Sequence, residues 1–423
     1  MNTMPTPTPV EATPTDAPSS ASSAPRPPVE PGAPATGGGI PLAVPEIGGN
    51  EWAYVKECLD TGWVSSAGAY VTRFEREMAE RAGTAHGVAT VNGTAALHTA
   101  LLVAGVGPGD EVLVSDLTFV APVNAVCYTG AVPVLVDAEP TYWQIDADRI
   151  AAFLTDDCER RADAERGEGV YNKTTGRRVA AVIPVHILGH PVDLDAVVAA
   201  VAPHGVPIIE DASEALGASY RGAAVGHHGD AACFSFNGNK IVTAGGGGML
   251  VTSHADWTER ARYFTTQAKD DPVEYVHEAV GYNYRLTNLA AAVGVAQLER
   301  LDDFVAAKRR IAARYNAALA GIDGLTVPAE AEWATSSCWL YTVLVSEDRG
   351  GSRPLLNVLA GQNIQTRPLW RPMHLLSPFA GAPVLGGAVS ERLYAESLSL
   401  PCSVGLTKAD QDRVIAAILA WAA

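Results

Sequence analysis

Short apolar runs alternate with stretches of helical periodicity through the middle of the chain. Five runs have the length and composition of buried strands, at residues 87–91, 111–115, 132–136, 179–184 and 207–210. Helical patterns follow at residues 95–103, 119–128, 143–154 and 194–202. Strands that alternate with helices at this spacing predict an α/β fold, with a mainly parallel central sheet that helices cover on both faces.

The remaining patterns divide the chain into three parts. Residues 1–39 are rich in Pro, Thr, Ser and Ala and bury too little apolar surface to offset their ordering entropy, so we expect a disordered tail. Residues 40–300 contain two amphipathic helices and then the βα pattern, and form the large predicted domain. Residues 301–423 predict a smaller α/β domain. The charged segment 156–178 has no usable period and is predicted to be a surface loop.

Composition and charge restrict the class of protein. A formal charge of −17 and a pI near 5.0 argue against nucleic acid or anionic membrane as a partner, because phosphate binding needs clustered cations. The six cysteines are scattered without metal-ligand spacing, which is typical of reduced thiols in a cytoplasmic protein, and no metal site is predicted. No apolar run is long enough to span a bilayer, and the N-terminus lacks a secretory pattern.

The most informative stretch is residues 233–251, which read C-F-S-F-N-G-N-K-I-V-T-A-G-G-G-G-M-L-V. Lys240 lies there between a strand pattern and a glycine run, whereas we expect the other lysines to be exposed to solvent. The chain has no Gly-Lys pair and no G-x-G-x-x-G motif, so these two nucleotide-binding loops are excluded. Because a desolvated lysine amine can form an imine and shuttle protons, we predict that Lys240 holds an aldehyde cofactor as a Schiff base, with a structural role as the alternative.

Other residues supply the partners that pyridoxal phosphate needs. Asp211 ends the run P-I-I-E-D, where a carboxylate would keep a pyridine nitrogen protonated, unless it only caps a helix. Gly93 and Thr94 occupy a strand-to-helix turn that would hold a phosphate, and Ser235 could add a hydroxyl. Phe119 is a candidate to stack on the cofactor ring, with ordinary core packing as the alternative.

Six motifs, in order along the chain, resemble the DegT/DnrJ/StrS family of sugar aminotransferases. They are N-G-T-A-A-L (92–97), T-F-V-A (118–121), H-x-x-G (186–189), E-D-A-x-E (210–214), F-S-F-N-G-N-K (234–240) and G-Y-N-Y-R (281–285). The likeness covers residues 40–423 and implies a homodimer of fold type I that depends on pyridoxal phosphate.

Carried over position by position, the resemblance implies that Lys240 is catalytic and that seven residues bind the cofactor. The cofactor-binding residues are Gly93, Thr94, Phe119, Asp211, Glu214, Ser235 and Asn283. Asn283 would reach the phosphate of the neighbouring subunit, so that each site would be shared across the dimer. Glu214 occupies a position where many members have Gln or His, and a carboxylate there would have to be protonated or share a proton.

The resemblance also implies a reaction, in which L-glutamate donates an amino group to C4 of a nucleotide-linked keto sugar. Asn92, Asn237 and Gly246, together with R-P-L-W-R-P-M-H (367–374), resemble the branch that acts on UDP-2-acetamido-4-keto-6-deoxy sugars. GDP-4-keto-6-deoxymannose is the alternative substrate, and a non-catalytic regulator or scaffold of the same fold is the alternative of a different class. The candidate substrate-binding residues, each with packing as its alternative role, are His186, Arg285, Trp370 and His374.

Overall fold

A computed structural model describes residues 38–164, 166–271 and 273–423. Residues 1–37 of the predicted disordered tail therefore lie outside the described residues. The strands are β1 (His86–Thr90), β2 (Glu111–Ser115), β3 (Val132–Val136), β4 (Cys158–Asp163), β5 (Gly167–Asn172), β6 (Val179–Ile183), β7 (Ile209–Asp211), β8 (Ser219–Tyr220), β9 (Ala223–Ala224), β10 (Ala231–Ser235), β11 (Gly248–Thr252), β12 (Leu325–Thr326), β13 (Ala334–Thr335), β14 (Tyr341–Val345), β15 (Val384–Leu385) and β16 (Ser397–Leu400). The α-helices are α1 (Glu51–Thr61), α2 (Ala69–Ala82), α3 (Gly93–Val103), α4 (Ala121–Tyr128), α5 (Ala147–Ala152), α6 (Leu194–Val201), α7 (Ala255–Thr265), α8 (Asn288–Leu298), α9 (Leu301–Leu319), α10 (Ser352–Gly361), α11 (Ala388–Glu396) and α12 (Lys408–Ala422).

The central sheet has the strand order β1-β11-β10-β7 on one side and β6-β2-β3-β15 on the other. Parallel bridges from Val182 to Ile208 and from Val185 to Asp211 join β6 to β7. Strands β7 and β10 are parallel, as are β6, β2, β3 and β15, whereas β11 runs antiparallel to both of its neighbours. The predicted mainly parallel α/β sheet is confirmed, and the carboxyl ends of its parallel strands meet along one edge.

Helices cover both faces of this sheet because neighbouring residues of a buried strand point to opposite sides. Phe234 and Met249 pack in a core cluster with α2 and α8. Cys233 and Leu250, one position away on the same strands, pack with α3, α4 and α7 in a second cluster. Two apolar faces therefore hold β10 rigidly, and the residues that follow β10 leave the core at a fixed point.

A second sheet, β12-β14-β16, is antiparallel and packs with α9, α10 and α12. Helix α9 belongs to both cores, because Leu301 and Phe304 lie in the cluster of the large sheet whereas Ile311 and Tyr315 lie in that of the small sheet. Because α9 contributes to both cores, the predicted domain boundary near residue 300 stays a proposal.

The start of the described chain packs with the small sheet. Ile40 forms a parallel bridge with Ile364 and packs in the core of the small sheet, and the amide of Val44 donates to Oγ of Ser403 at 3.0 Å. The predicted start of the large domain at residue 40 stays a prediction, although this segment packs with the small sheet. No apolar period could show the pairing, because the partners lie more than 300 positions away.

Two local predictions are corrected. Segment 156–178 is not a simple loop, because β4 and β5 pair as an antiparallel hairpin whose exposed charged side chains hide the strand alternation. The helix predicted over 143–154 is shortened to α5, which starts after Asp146, whose carboxylate accepts from the amides of Asp148 and Arg149. A π-helical turn at Phe153–Asp157 follows α5.

Of the helices in the described ranges, none is both long and apolar enough to cross a bilayer.

Candidate active site

Lys240 lies five residues beyond β10, in a tight turn at the carboxyl edge of the sheet. Its backbone amide donates to the carbonyl of Asn237 at 3.0 Å. Its Nζ lies 3.5 Å from Oε1 of Glu214 and 3.9 Å from the ring centroid of Trp339, and the side chain is 14% exposed. The amine is thus mostly withdrawn from water and still reachable, as the chemistry of an imine-forming lysine requires.

Asp211 is the last residue of β7, the parallel neighbour of β10, and Cys233 on β10 lies opposite it. Its carboxyl group is buried, and burial raises its pKa, against the opposing effects of Ser213 and of the positive charge of Lys240. The amide of Ser213 donates to Oδ1 at 3.0 Å. A buried carboxyl of this kind gains most from a cationic partner, such as a protonated pyridine nitrogen.

Glu214 connects the lysine to the H-x-x-G turn. Burial raises its pKa to about 7, although Lys240 and the amide of Leu188 oppose the shift. That amide donates to Oε2 at 2.7 Å, and it points inward because Leu188 has a φ of 60°. Gly189 follows with a φ of 91°, and a Cβ there would lie 2.4 Å from Oγ of Ser337. The glycine of the motif is therefore required by both backbone conformation and space.

The amino end of α3 lies beside two serines, where a phosphate cradle is predicted. Asn92 caps the helix, since its Oδ1 accepts from the amide of Ala95 at 2.8 Å. A Cβ on Gly93 would lie 2.8 Å from Cβ of Ser235 and 3.3 Å from Oγ of both Ser235 and Ser213. Free helix amides and hydroxyl groups that converge on a surface without a side chain suit a phosphate. Thr94, the next residue of the first turn, is half-buried.

Phe119 and Asn283 both reach the surface of the described chain. Phe119 is 52% exposed between β2 and α4, so the alternative of ordinary core packing is wrong. Its stacking on a cofactor ring stays a prediction. Asn283 is exposed and bridges to Thr266, and its contact with a neighbouring subunit also stays a prediction.

His186 is not available to a substrate. Its side chain is fully buried, Nε2 lies 2.9 Å from Oε2 of Glu210, and Nδ1 accepts the amide of Val192 at 3.0 Å. The prediction that it binds substrate is wrong, because Nε2 is bonded to Glu210 of β7 and Nδ1 is bonded to Val192 in the loop before α6. A histidine that is bonded to a buried carboxyl group and one that contacts a substrate leave the same trace in a sequence.

Two other predicted substrate residues are held by partners within the fold. Nη1 of Arg285 lies 2.6 Å from Oε1 of Glu75, so the guanidinium forms an internal ion pair in place of the predicted contact. Nδ1 of His374 lies 2.6 Å from Oδ2 of Asp116, and Nε2 lies 3.1 Å from Oε1 of Glu391. Both ring nitrogens of His374 are thus occupied, and it links β2 to α11.

Trp370 lies at the edge of the site, half-buried, and stacks on Trp339 with ring centroids 6.4 Å apart and an interplanar angle of 6°. Its contact with substrate stays a prediction. Trp339 and Ser213 were not among the predicted site residues. Trp339 begins an apolar alternation that is typical of a strand, and Ser213 has no signal of its own between Asp211 and Glu214.

An apolar cavity of about 170 Å³ lies behind Leu188, beside the stacked rings of Tyr142 and His190. Arg309 also lines it, but its guanidinium is paired with Glu330. Lys240, Asp211 and Glu214 are not among its lining residues.

The arrangement of sheet, lysine, buried acid and helix end defines a transferase of fold type I that depends on pyridoxal phosphate. The chain belongs to the DegT/DnrJ/EryC1/StrS aminotransferase family, whose model matches residues 45–419.

Individual relatives agree with this family. GDP-perosamine synthase of Caulobacter vibrioides is 40% identical over 90% of this chain and 97% of its own. The putative pyridoxal phosphate-dependent aminotransferase EpsN of Bacillus subtilis is 38% identical over 90% of this chain and 95% of its own. The crystal structure of the aminotransferase TlmJ from Streptoalloteichus hindustanus, 30% identical, superposes with a TM-score of 0.81 over 91% of this chain and 99% of the other.

Proposed function

We propose that this aminotransferase moves the amino group of L-glutamate to C4 of a nucleotide-linked 4-keto-6-deoxy sugar, with GDP-4-keto-6-deoxymannose as the first candidate. The observation that carries the chemistry is the placement of the Lys240 amine 3.5 Å from the carboxyl of Glu214, at the sheet edge where Asp211 ends β7. Both acids are buried, so the charges at this point interact strongly.

The residues present fit pyridoxal phosphate. Gly93, Thr94, Ser213 and Ser235 would hold the phosphate, since a Cβ on Gly93 would fill the space between the two serines. Asp211 would face the pyridine nitrogen, and Lys240 would form the covalent link. When bound, the cofactor supplies an aldehyde and a ring that accepts electrons from the carbon next to the amine.

Proton transfer falls to Lys240 and Glu214. Once an amino donor displaces the lysine, Nζ is free to take a proton from the donor carbon and to return one, a step that contributes about 10²- to 10⁴-fold in rate. Glu214, whose pKa burial raises to about 7, is present in both protonation states near neutral pH. It can therefore share a proton with Nζ without a large change in local charge, which resolves the difficulty that a fixed carboxylate would pose at this position.

The relative from Caulobacter vibrioides supports the GDP sugar as first candidate, because its name specifies a GDP-perosamine product and it spans nearly the whole chain. This favours the alternative substrate over the UDP-2-acetamido-4-keto-6-deoxy sugars that segment 367–374 suggested. Segment 367–374 also supports the UDP sugar less strongly, since both ring nitrogens of His374 are bonded within the fold, to Asp116 and Glu391. We propose a homodimer as the working form, because Asn283 is exposed and the family resemblance assigns it to the phosphate of the neighbouring subunit.

A substrate panel tests the proposal. The purified protein, loaded with pyridoxal phosphate, would be mixed with L-glutamate and one of the GDP-, UDP- or dTDP-linked 4-keto-6-deoxy sugars, and 2-oxoglutarate and amino sugar would be measured by mass spectrometry. We expect the highest kcat/KM with GDP-4-keto-6-deoxymannose. A preference for the UDP-2-acetamido sugar would overturn the substrate, and release of no 2-oxoglutarate with any sugar would overturn the amino transfer.

A further inference from the structure

We propose that Trp339 is a positioning residue for Lys240, and that the face of its indole ring holds the amine whenever that amine is free. The inference rests on the proposed function in one respect, since amino transfer requires Lys240 to leave and rejoin the cofactor. Nζ of Lys240 lies over the indole ring of Trp339, 3.9 Å from its centroid. An ammonium at this distance from a tryptophan face is attracted by the negative charge of the ring.

Trp339 also touches the backbone that carries the lysine. Its Nε1 donates to the carbonyl of Asn239, the residue before Lys240, at 2.8 Å. The indole of Trp339 therefore contacts both the amine end of the Lys240 side chain and the peptide group that precedes Lys240. Glu214 approaches the same amine at 3.5 Å, so Nζ lies between a carboxyl group and an aromatic face. Such a resting place keeps the amine beside the acid with which it would exchange a proton.

The ring itself is held firmly. Trp339 is 2% exposed, and its carbonyl accepts from Nζ of Lys308 at 2.8 Å. Lys308 is buried and also donates to the carbonyl of Cys402 at 2.8 Å. The ring also stacks on Trp370, nearly parallel. A buried lysine that serves two carbonyl groups costs desolvation, and here it anchors the segment that carries the tryptophan.

The geometry of Trp339 is what a positioning role needs and core packing does not. An aliphatic residue of similar volume would fill the same space, but it would neither attract an ammonium nor donate to the Asn239 carbonyl. Replacing the indole by Phe keeps a weaker aromatic face, and replacing it by Leu removes the face altogether. If the aromatic face holds the amine, the effect on Lys240 should therefore be small in Trp339→Phe and larger in Trp339→Leu.

Lysine labelling measures the effect without relying on turnover. The holoenzyme of wild type, Trp339→Phe and Trp339→Leu would be treated with L-glutamate to free Lys240, and acetylation of that lysine by acetic anhydride would be followed by mass spectrometry from pH 6 to pH 10. At neutral pH we expect labelling to rise about 3- to 10-fold in Trp339→Leu and less in Trp339→Phe, because loss of the ring disfavours the ammonium form. Towards pH 10 the three rates should approach one another, since deprotonation removes the ammonium that the ring attracts.

The same series on the cofactor-free chain keeps the two claims separable. If L-glutamate fails to bleach the wild-type cofactor band, the proposed function fails, while labelling of the cofactor-free chain still tests Trp339. If the band bleaches but both variants label at the wild-type rate, the inference about Trp339 fails and the function stands. A rise of equal size at every pH would mean simple access to the amine, and it would also overturn the inference.

Kinetics and a matched control complete the test. We expect Trp339→Leu to lower kcat by about 10-fold or more, because a displaced acid–base group costs rate, with a smaller change in KM for L-glutamate. Trp339→Phe should recover part of that loss. Trp421→Leu is the control, since Trp421 has a guanidinium over its ring at 5.9 Å but belongs to α12, and its variant should label and turn over as wild type does.

Discussion

Nζ of Lys240 lies 3.5 Å from Oε1 of Glu214, and Oε2 of the same carboxyl accepts the amide of Leu188 at 2.7 Å. Glu214 therefore joins the reactive lysine to the turn after β6, and its charge state affects both. Because burial raises its pKa to about 7, the carboxyl group of Glu214 changes protonation in the range where the enzyme would work.

The pH dependence of stability should reveal Glu214. An acid whose pKa rises on folding favours the native state below its unfolded value of 4.5, and this contribution is lost as the pH rises through about 7. The Gln side chain of Glu214→Gln cannot ionise. The unfolding free energy of the cofactor-free variant, relative to that of wild type, should therefore increase by about 1 to 3 kcal/mol from pH 5 to pH 8. Urea unfolding at the two pH values measures the gain. A difference that does not change with pH would contradict the account.

Gly93 should be indispensable for holding the cofactor phosphate. In Gly93→Ala the new Cβ would lie 2.8 Å from Cβ of Ser235 and would narrow the cradle, so affinity for pyridoxal phosphate should fall about 10-fold or more. Absorbance titration of the cofactor measures it. Gly246→Ala is the matched control within the glycine run, because the nearest atom to its Cβ would be the Val91 carbonyl at 3.9 Å. Equal losses in both variants would argue against a cradle at Gly93.

The bond from His374 to Asp116 should stabilise the protein more at pH 6 than at pH 9. Burial opposes protonation of His374, but Asp116 and Glu391 outweigh it and raise its pKa. A histidine with a raised pKa contributes its full stability below the unfolded value of 6.5 and loses it as the pH rises through the folded value. His374→Gln should therefore cost about 1 to 2 kcal/mol at pH 6 and less at pH 9, again by urea unfolding.

His254→Gln is the control for this pair, since His254 is half exposed and lies 3.6 Å from Asp230. It should change stability little at either pH. A loss in His374→Gln that is equal at pH 6 and pH 9 would show that the side chain stabilises by packing alone.

Sharing of sites between subunits can be tested by mixing two defective variants. Lys240→Ala lacks the reactive amine, and Asn283→Ala lacks the predicted contact with the partner's phosphate. If each site takes residues from both chains, a heterodimer of the two variants contains one intact site, and a random mixture recovers about a quarter of wild-type activity. Refolding or co-expression followed by a 2-oxoglutarate assay measures this. Recovery no greater than the sum of the two parents would place each site within one chain.

Much of the site could be predicted because it follows directly from chain order. Asp211 and Lys240 both follow buried strands, and parallel strands bring their carboxyl ends to one edge. Gly93 and Ser235 meet for the same reason, since α3 begins where β1 ends and Ser235 ends β10. Periodicity and glycine placement are enough to predict such contacts.

The rest depends on pairings between distant segments, which leave no local pattern. Trp339 reaches Lys240 from a segment about 100 residues further along the chain, and the bond between its Nε1 and Asn239 spans the same separation. His186 looked like a substrate residue because its motif does not reveal Glu210 as its partner. The β4–β5 hairpin was missed because both of its faces carry exposed charges, so its strands show no apolar alternation.

The most direct test of the central claim is to trap the cofactor on its lysine. The full-length protein would be incubated with pyridoxal phosphate, reduced with sodium borohydride and digested, and the phosphopyridoxyl group located by mass spectrometry. We predict modification of Lys240, lost in Lys240→Ala and absent when L-glutamate has first converted the cofactor to its amine form. Modification of another lysine, such as the buried Lys308, or no modification of the wild-type protein, would contradict the account.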